Sequence, residues 1–302
     1  MRFLNEIFGR TPSERKKNLV RVIYVTVAAI LLVTLVLSIA LIVPSGKNDK
    51  KDDTSTRNEV ASYTFSQTKS GTLLLVNKKS ASYDFSTNPE SNLVKMSESL
   101  PSANGSALYS LQKDGMLANE EALNALNEMI KDFYDQSSDK ETAKKLSVRT
   151  AYRSFETQQA LSSAVPAGHS DFHTGMLFEL TIGDSTTTIK ANKAFAWIYE
   201  NAHKYGFIER YPESKASITG VSDFDNAFRY VGAPHASYIK EKGITLEEYV
   251  DLIKNSTEPL RISGYSVYYL KANADADTEI SYSGRYFAIS GDNNGGFIVT
   301  TK

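Results

Sequence analysis

Four histidines and no cysteine are available in this chain to hold a metal ion or move a proton. They are His169, His173, His203 and His235. His169 and His173 stand four residues apart, a spacing that suits a shared metal ion when both lie on one face of a helix. Gly168 and Gly175 flank this segment and favour loop and strand instead. In an extended chain the two side chains would lie roughly 13 Å apart, too far to share one ion.

The composition limits the classes of function. The chain has 302 residues, enough for one large domain or two smaller ones. Its formal net charge of -1 argues against nucleic acid as a partner, because nucleic-acid-binding domains usually carry a strongly basic face. The absence of cysteine excludes a disulfide framework, a thiolate metal site and a cysteine nucleophile. It also excludes a lipid-modified N-terminal cysteine as an anchor.

The first 60 residues predict attachment to a membrane. Residues 22–43 are uncharged and apolar, and about 20 such residues cross a bilayer as a helix. Basic residues dominate 1–21, which favours a cytoplasmic N-terminus. Residues 44–60 are mostly polar and predict a flexible linker, so the rest of this single-pass protein would be extracytoplasmic. A cleaved signal peptide is the alternative, with a weak cleavage site at 38–40.

Apolar periodicity predicts helices and strands through the middle of the chain. At residues 119–134 apolar side chains recur at helical spacing, with Asn119 as the N-terminal cap. Thr245 and Glu248 form a capping box that begins another helix. The remaining predictions are helices at 155–164 and 192–205 and strands at 72–76, 176–182 and 186–189.

Beyond residue 257 the pattern changes to short β-prone runs separated by Gly, Asn and Asp. The runs are 267–270, 279–282, 286–289 and 297–300. We therefore predict an α+β core at 61–256, followed by a small all-β appendage at 257–302. The tyrosine-rich segment 265–269 would suit a partner-binding surface, although alternating strand residues more often pack within their own sheet.

Several segments resemble, in the same order, the motifs of one peptidase family. The resemblance rests on residues 150–158 (TAYRSFETQ), 166–179 (PAGHSDFHTGMLFE), 201–212 (NAHKYGFIERYP) and 228–232 (FRYVG), together with a leading strand at 73–78. From about residue 71 to 254 the chain resembles the VanY-like D-alanyl-D-alanine carboxypeptidases. The resemblance implies a mixed or antiparallel sheet flanked by helices. It also implies a bacterial zinc enzyme that removes the terminal D-alanine from peptidoglycan stem peptides.

Four positions depart from the metal ligands and the base of that family. The resemblance places the two zinc histidines at Phe172 and Ala227, the zinc aspartate at Glu179 and the catalytic glutamate at Phe224. Phenyl and methyl groups have no lone pair to donate, and a catalytic zinc needs three protein ligands and a base for its water. We therefore predict that the family's zinc is absent and that no catalytic residue remains. The two phenylalanine rings would fill the vacated space with apolar contacts.

The resemblance also implies which residues line the substrate groove. Arg153 occupies the position that helps hold the substrate's terminal carboxylate, and a guanidinium matches a carboxylate with two parallel hydrogen bonds. The other predicted substrate-binding residues are Gln158, Ser170 and Asp171. A structural role is the alternative for these residues, with Arg153 paired to an internal acid. The alternative set of metal ligands is His169, His173 and Glu179.

Three functions are compatible with these observations. The first is a membrane-anchored, non-catalytic relative that binds a peptidoglycan stem peptide or another wall or membrane protein. The second is an active peptidoglycan carboxypeptidase with an atypical metal site. In the third, the C-terminal β region recognises a protein partner. The combined loss of polar side chains at Phe172, Phe224 and Ala227 favours the first function.

Overall fold

The computed structural model describes residues 59–302 except 162, 164, 223 and 283–286. The predicted cytoplasmic segment 1–21, the predicted transmembrane helix 22–43 and nearly all of the predicted linker 44–60 lie outside the described residues. Within the described part of the chain, no helix combines the length and the apolar character needed to cross a bilayer.

Short strands supply the sheets of the described residues. Their bounds are β1 Glu59–Tyr63, β2 Val94–Lys95, β3 Ser102–Ala103, β4 Ser106–Ala107, β5 Ser110–Leu111, β6 Leu117–Ala118, β7 Leu146–Thr150, β8 Leu177–Ile182, β9 Phe207–Glu209, β10 Ala227–Tyr230, β11 Leu260–Ile262, β12 Tyr265–Lys271, β13 Thr278–Tyr282, β14 Phe287–Gly291 and β15 Gly296–Thr301. Two small antiparallel pairs, β2 with β6 and β3 with β4, lie outside the larger sheets.

The central sheet has five strands in the order β5-β7-β8-β10-β9. β5 runs parallel to β7, and the other neighbours are antiparallel. The central strand β8 is buried along nearly its whole length, which accounts for its apolar sequence. The structure thus confirms the strand predicted at 176–182 and the mixed sheet that the family resemblance implied. The predicted strand 186–189 contributes only an isolated bridge between Thr188 and Thr181.

Helices pack against this sheet. The α-helices are α1 Glu120–Gln136, α2 Lys140–Ala143, α3 Phe155–Gln159, α4 Ala196–Asn201, α5 Ala216–Thr219, α6 Ala233–Lys242 and α7 Leu246–Asn255. Helix α1 buries Leu126 and Ile130 in one core cluster with Val148 and Phe178 of the sheet. Its N-terminus is capped as predicted, because the Asn119 side chain accepts a hydrogen bond from the backbone N–H of Ala122. The capping box before α7 is also confirmed.

Two predicted helices are shorter or more broken than expected. The segment predicted at 192–205 consists of a 3-10 turn at Lys193–Phe195, then α4, then a 3-10 turn at Ala202–Tyr205. The helix predicted at 155–164 ends at Gln159. Apolar spacing specifies the buried face of such a segment, but it does not distinguish i to i+4 from i to i+3 hydrogen bonding. The other 3-10 helices are Phe65–Lys69, Glu90–Asn92, Met96–Glu98, Asp171–Thr174, Ile189–Ala191 and Glu213–Lys215.

The strand predicted at 72–76 is buried but has no strand partner in the described residues. Side chains satisfy its backbone instead. The N–H of Leu73 donates to Ser290 Oγ at 2.9 Å, and Asn293 Nδ2 donates to the carbonyl of Leu75 at 3.2 Å. The prediction was wrong because an apolar run indicates burial and does not identify the groups that bond its backbone.

The C-terminal strands form an antiparallel sheet in the order β11-β12-β15-β14, and β13 pairs with β1. Val267 and Ile298 of this sheet share a core cluster with Ile239 of α6 and Tyr249 of α7. The described residues from 59 onward belong to one compact unit, and residues on both sides of the boundary predicted at 257 share this cluster. In the tyrosine-rich segment, Tyr269 packs against the same cluster, as ordinary sheet residues do.

Candidate active-site cleft

An open cleft of about 570 Å³ lies beside the central sheet. Its floor includes Arg149 and Arg153 from the end of β7 and the loop after it, Glu179 from β8, and Phe224 from the loop before β10. Tyr152 and Leu161 also line it, and Leu161 is exposed. Of the residues that the resemblance assigned to a substrate groove, Arg153 lines this open cleft.

The predicted metal positions lie close together, with Glu179 and Phe224 lining the cleft, and all of them except Glu179 carry apolar side chains. β8 and β10 pair in a register that sets Ala227 directly opposite Glu179. Phe172, on the 3-10 helix Asp171–Thr174, has its ring centroid 5.9 Å from that of Phe224. Phe224 in turn stacks on Tyr211 at 5.8 Å. These residues form an apolar cluster where the resemblance expects two histidines and a glutamate.

Glu179 is the one acidic residue at those positions, and an arginine already neutralises it. Its side chain is only 5% exposed, and Oε1 accepts a hydrogen bond from Arg149 Nη1 at 2.9 Å. The ladder pairs Val148 with Leu180 and Thr150 with Glu179, so Arg149 is an extra residue in β7. Such a β-bulge redirects a side chain, and here Arg149 lines the cleft beside Glu179.

Sequence reasoning missed Arg149. A single arginine within the otherwise uncharged strand β7 was the available signal, since a charge at a half-buried strand position usually has a partner. The bulge that directs it depends on the pairing with β8, which the sequence pattern of β7 alone does not reveal.

Arg153 lines the cleft beside Arg149 and Glu179. Its guanidinium carbon stands 4.0 Å from the centroid of the Phe172 ring, a cation–π contact. Nη1 donates to Gln158 Oε1 at 3.2 Å. Burial lowers the pKa of Arg153, the nearby Glu179 carboxylate opposes that shift, and the Arg149 charge adds to it. The predicted alternative, in which Arg153 pairs directly with an internal acid, is not observed among the described residues.

His173 has a structural role, because it links the backbone at Gly168 to the backbone at Arg153. It is fully buried, its Nδ1–H donates to the carbonyl of Arg153 at 2.7 Å, and Nε2 accepts from the backbone N–H of Gly168 at 3.0 Å. Both ring nitrogens are therefore used. Burial lowers the pKa of the His173 imidazole, which favours this neutral form. Asp171–Thr174 is a 3-10 helix rather than the loop or strand that the flanking glycines favoured, and the His173 ring packs on that of Phe85 at 4.9 Å.

The alternative metal set does not come together. His169 Nδ1 donates to the carbonyl of Asn77 at 3.0 Å, and His173 is saturated, while Glu179 pairs with Arg149. No group of three or more acidic or histidine side chains in the described ranges could hold a metal ion. The described residues thus do not fit the zinc that the family resemblance implies.

Asp171 proves to be part of the interior. It is 1% exposed, Oδ2 accepts from Arg210 Nε at 2.6 Å, and Oδ1 accepts from Arg229 Nε at 2.9 Å. Arg210 also forms two parallel hydrogen bonds to Glu247, at 2.9 and 2.7 Å. Both carboxylate oxygens of Asp171 are occupied away from the cleft. Its position supports the structural alternative rather than the predicted contact with substrate.

Gln158 and Ser170 are also buried, at 1% and 4% exposure. Gln158 Nε2 donates to the carbonyl of Val165 at 2.8 Å, while its Oε1 orients Arg153. Ser170 precedes the 3-10 helix and accepts at its backbone carbonyl from His173 N–H. Of the four predicted substrate-binding residues, only Arg153 lines the cleft.

Comparison with known proteins agrees with this fold. The VanY family model, described as D-alanyl-D-alanine carboxypeptidase, matches residues 158–233. A D-alanyl-D-alanine carboxypeptidase of Enterococcus faecium is 33% identical over 256 residues, which cover 82% of this chain and 80% of that protein. The putative carboxypeptidase YodJ of Bacillus subtilis is 29% identical and covers 41% of this chain and 52% of its own length.

Among solved structures, the vancomycin resistance D,D-dipeptidase VanXYg in complex with a D-Ala-D-Ala phosphinate analog aligns with a TM-score of 0.65 and 24% identity. The alignment covers 81% of this chain and 98% of that structure, which supports the fold. The sequence relationship to the Enterococcus faecium protein, taken with this fold, shows that the chain belongs to the VanY family of D-alanyl-D-alanine carboxypeptidases.

Proposed function

We propose that this chain is a non-catalytic member of the VanY family that binds peptides with a free C-terminal carboxylate. The apolar cluster at the metal positions carries the proposal. Phe172 and Ala227 offer no lone pair, and Phe224 offers no base. The one remaining carboxylate, Glu179, is bonded to Arg149. An enzyme that activates water on zinc needs histidine and carboxylate ligands that are free to bind the metal, and it also needs a base to accept the proton of the water.

The open cleft supports recognition without hydrolysis. Its volume of about 570 Å³ falls in the range of ordinary ligand sites. Arg153 lines it and is held in place by Phe172 and Gln158. Relatives named as D-alanyl-D-alanine carboxypeptidases indicate the class of ligand, a peptidoglycan stem peptide. A wall or membrane protein that presents a C-terminal carboxylate is the other ligand compatible with this chemistry.

We also propose that the cleft is extracytoplasmic and tethered to the bacterial membrane. Residues 22–43 have the length and apolar character of a spanning helix, and the basic segment 1–21 favours a cytoplasmic N-terminus. Protease added to intact cells without a wall should remove the folded part and leave a short membrane-bound fragment. Full protection of the folded part would contradict this orientation.

The names of the relatives favour the alternative of an active carboxypeptidase with an atypical metal site. Two measurements on the purified full chain separate the alternatives. We expect less than 0.1 zinc per chain by elemental analysis, and no D-alanine released from a pentapeptide stem with or without added zinc. An active relative treated in parallel provides the positive control. Stoichiometric zinc together with D-alanine release would replace our proposal by the enzymatic function.

A further inference from the structure

Arg149, in its ion pair with Glu179, has the features of a substitute for a metal ion. Glu179 is nearly buried, and a carboxylate in that position needs a cation close by. In a zinc site the metal would supply that charge. In this chain the guanidinium of Arg149 supplies it, at a hydrogen-bond distance of 2.9 Å.

Arg149 retains donors beyond the one that Glu179 uses. A guanidinium carries five N–H donors, and within the described residues Arg149 makes a single hydrogen bond. Its side chain is 41% exposed and lines the cleft together with Arg153. Arg149 can therefore bond a ligand while it remains paired with the Glu179 carboxylate.

The cleft lining carries three basic and three acidic side chains, so its formal charges balance: Lys113, Arg149 and Arg153, and Glu90, Asp114 and Glu179. Selectivity for a carboxylate must therefore come from directed hydrogen bonds, and Arg149 and Arg153 are the two guanidiniums that line the cleft. Two guanidiniums can bind the two oxygens of such a group with directed hydrogen bonds.

We infer that Arg149 replaces the family's metal cation in this chain and forms, together with Arg153, a binding site for the C-terminal carboxylate of a short peptide. The inference rests on the proposed function and adds Arg149 as a specificity-determining residue. Glu179 then acts as a positioning residue, since it holds Arg149 at the cleft without contacting the ligand.

Calorimetric titration of the full chain tests this site with two probes, N-acetyl-L-Lys-D-Ala-D-Ala and the same peptide with a C-terminal amide. We expect the wild-type chain to bind the free acid at least ten-fold more tightly than the amide. Arg149→Met should weaken binding of the acid at least ten-fold and leave the weak binding of the amide unchanged. Arg261→Met, which removes an exposed arginine of β11, should change neither.

Removing Arg149 alone leaves Glu179 buried without a partner and could unfold the domain. The double variant Arg149→Met/Glu179→Gln removes both charges, and it should fold like the wild type and still bind the acid poorly. Glu179→Gln alone should bind the acid at least three-fold more tightly, because the glutamine oxygen can still accept from Arg149 while the negative charge that repels a carboxylate is removed. Rescue of acid binding in the double variant would overturn the inference, as would loss of binding in Glu179→Gln.

The outcomes also separate this inference from the proposed function. If Arg149→Met binds the acid like the wild type while Arg153→Met does not, the site lacks Arg149 and peptide recognition stands. If the wild-type chain does not distinguish the acid from the amide, both the carboxylate site and the proposed ligand are wrong. Zinc-dependent release of D-alanine from the probe would overturn the non-catalytic function directly.

Discussion

Ala227 lies directly opposite Glu179 across the antiparallel strands β10 and β8. The strand register therefore sets a methyl group beside a carboxylate at two of the predicted metal positions. The same carboxylate forms an ion pair with Arg149, with Nη1 and Oε1 2.9 Å apart. Backbone pairing fixes the positions of these residues, and their side chains determine which ion they can hold.

This geometry predicts that a zinc site can be rebuilt, and that Arg149 opposes it. In the variant Phe172→His/Glu179→Asp/Ala227→His the three ligands of a zinc site would be present. Adding Arg149→Met should raise the zinc affinity at least ten-fold, because the guanidinium no longer competes for the carboxylate. Competition with a chromophoric chelator measures both affinities. Equal affinities with and without Arg149 would show that the arginine does not compete with a metal.

Substitution of Asp171 should cause one of the largest losses in the free energy of unfolding of the domain. Asp171→Asn removes the charge that Arg210 and Arg229 share, and two buried guanidiniums would lose their partner. We expect a loss of about 3–5 kcal/mol in the free energy of unfolding, measured by urea denaturation. Asp135→Asn, in the exposed pair with Lys131, is the matched control and should be indistinguishable from the wild type. A small effect of Asp171→Asn would contradict the structural role.

His235 should make the domain sensitive to acid. Burial lowers its pKa to about 4, and its neighbours are the uncharged groups of Tyr249 and Thr300. Because the unfolded chain binds this proton near pH 6.5 and the folded chain does not, stability decreases as the pH falls from about 6.5 to about 4. The contribution is on the order of 3 kcal/mol.

Urea denaturation of the wild type and of His235→Gln across that pH range measures the difference. The variant should lose less stability than the wild type on acidification, since glutamine binds no proton. Parallel pH profiles of the two proteins would rule out His235 as the group responsible.

Phe172 should contribute both packing and orientation. Phe172→Ala leaves a cavity beside Leu177 and Tyr211 and removes the ring beneath Arg153. We expect a loss of about 3 kcal/mol in unfolding free energy and weaker binding of a peptide carboxylate. Phe155→Ala, at a site that is 38% exposed, provides the control and should cost less than about 1 kcal/mol. An unaffected peptide affinity in Phe172→Ala would mean that Arg153 does not need this ring.

Elements with a continuous apolar pattern were predictable from the sequence. Strand β8 and helix α1 have one dominant local pattern each, and both formed as predicted. Asn119 was predictable as a cap because its short polar side chain precedes the first apolar residue of the helix. These features depend on residues that are neighbours in sequence.

The parts that sequence reasoning missed depend on partners far away in the chain. The bulge at Arg149 arises from pairing with β8, some thirty residues later. The buried role of Asp171 requires Arg210 and Arg229, and a lone aspartate in a motif gives no indication of that pairing. The backbone of Leu73 and Leu75 is satisfied by side chains near the end of the chain, so local pattern could not exclude a strand there.

The bond from Leu73 to Ser290 joins residues 217 positions apart, and β1 pairs with β13 at a similar separation. During synthesis, β1 and Leu73 therefore cannot form these contacts until β13 and Ser290 have been made. Contacts this remote in sequence slow folding, because a long loop must close first. A chain truncated within its last forty residues would lack the partners of the N-terminal segment as well as its own C-terminal strands. Such a chain would be a substrate for quality-control proteases.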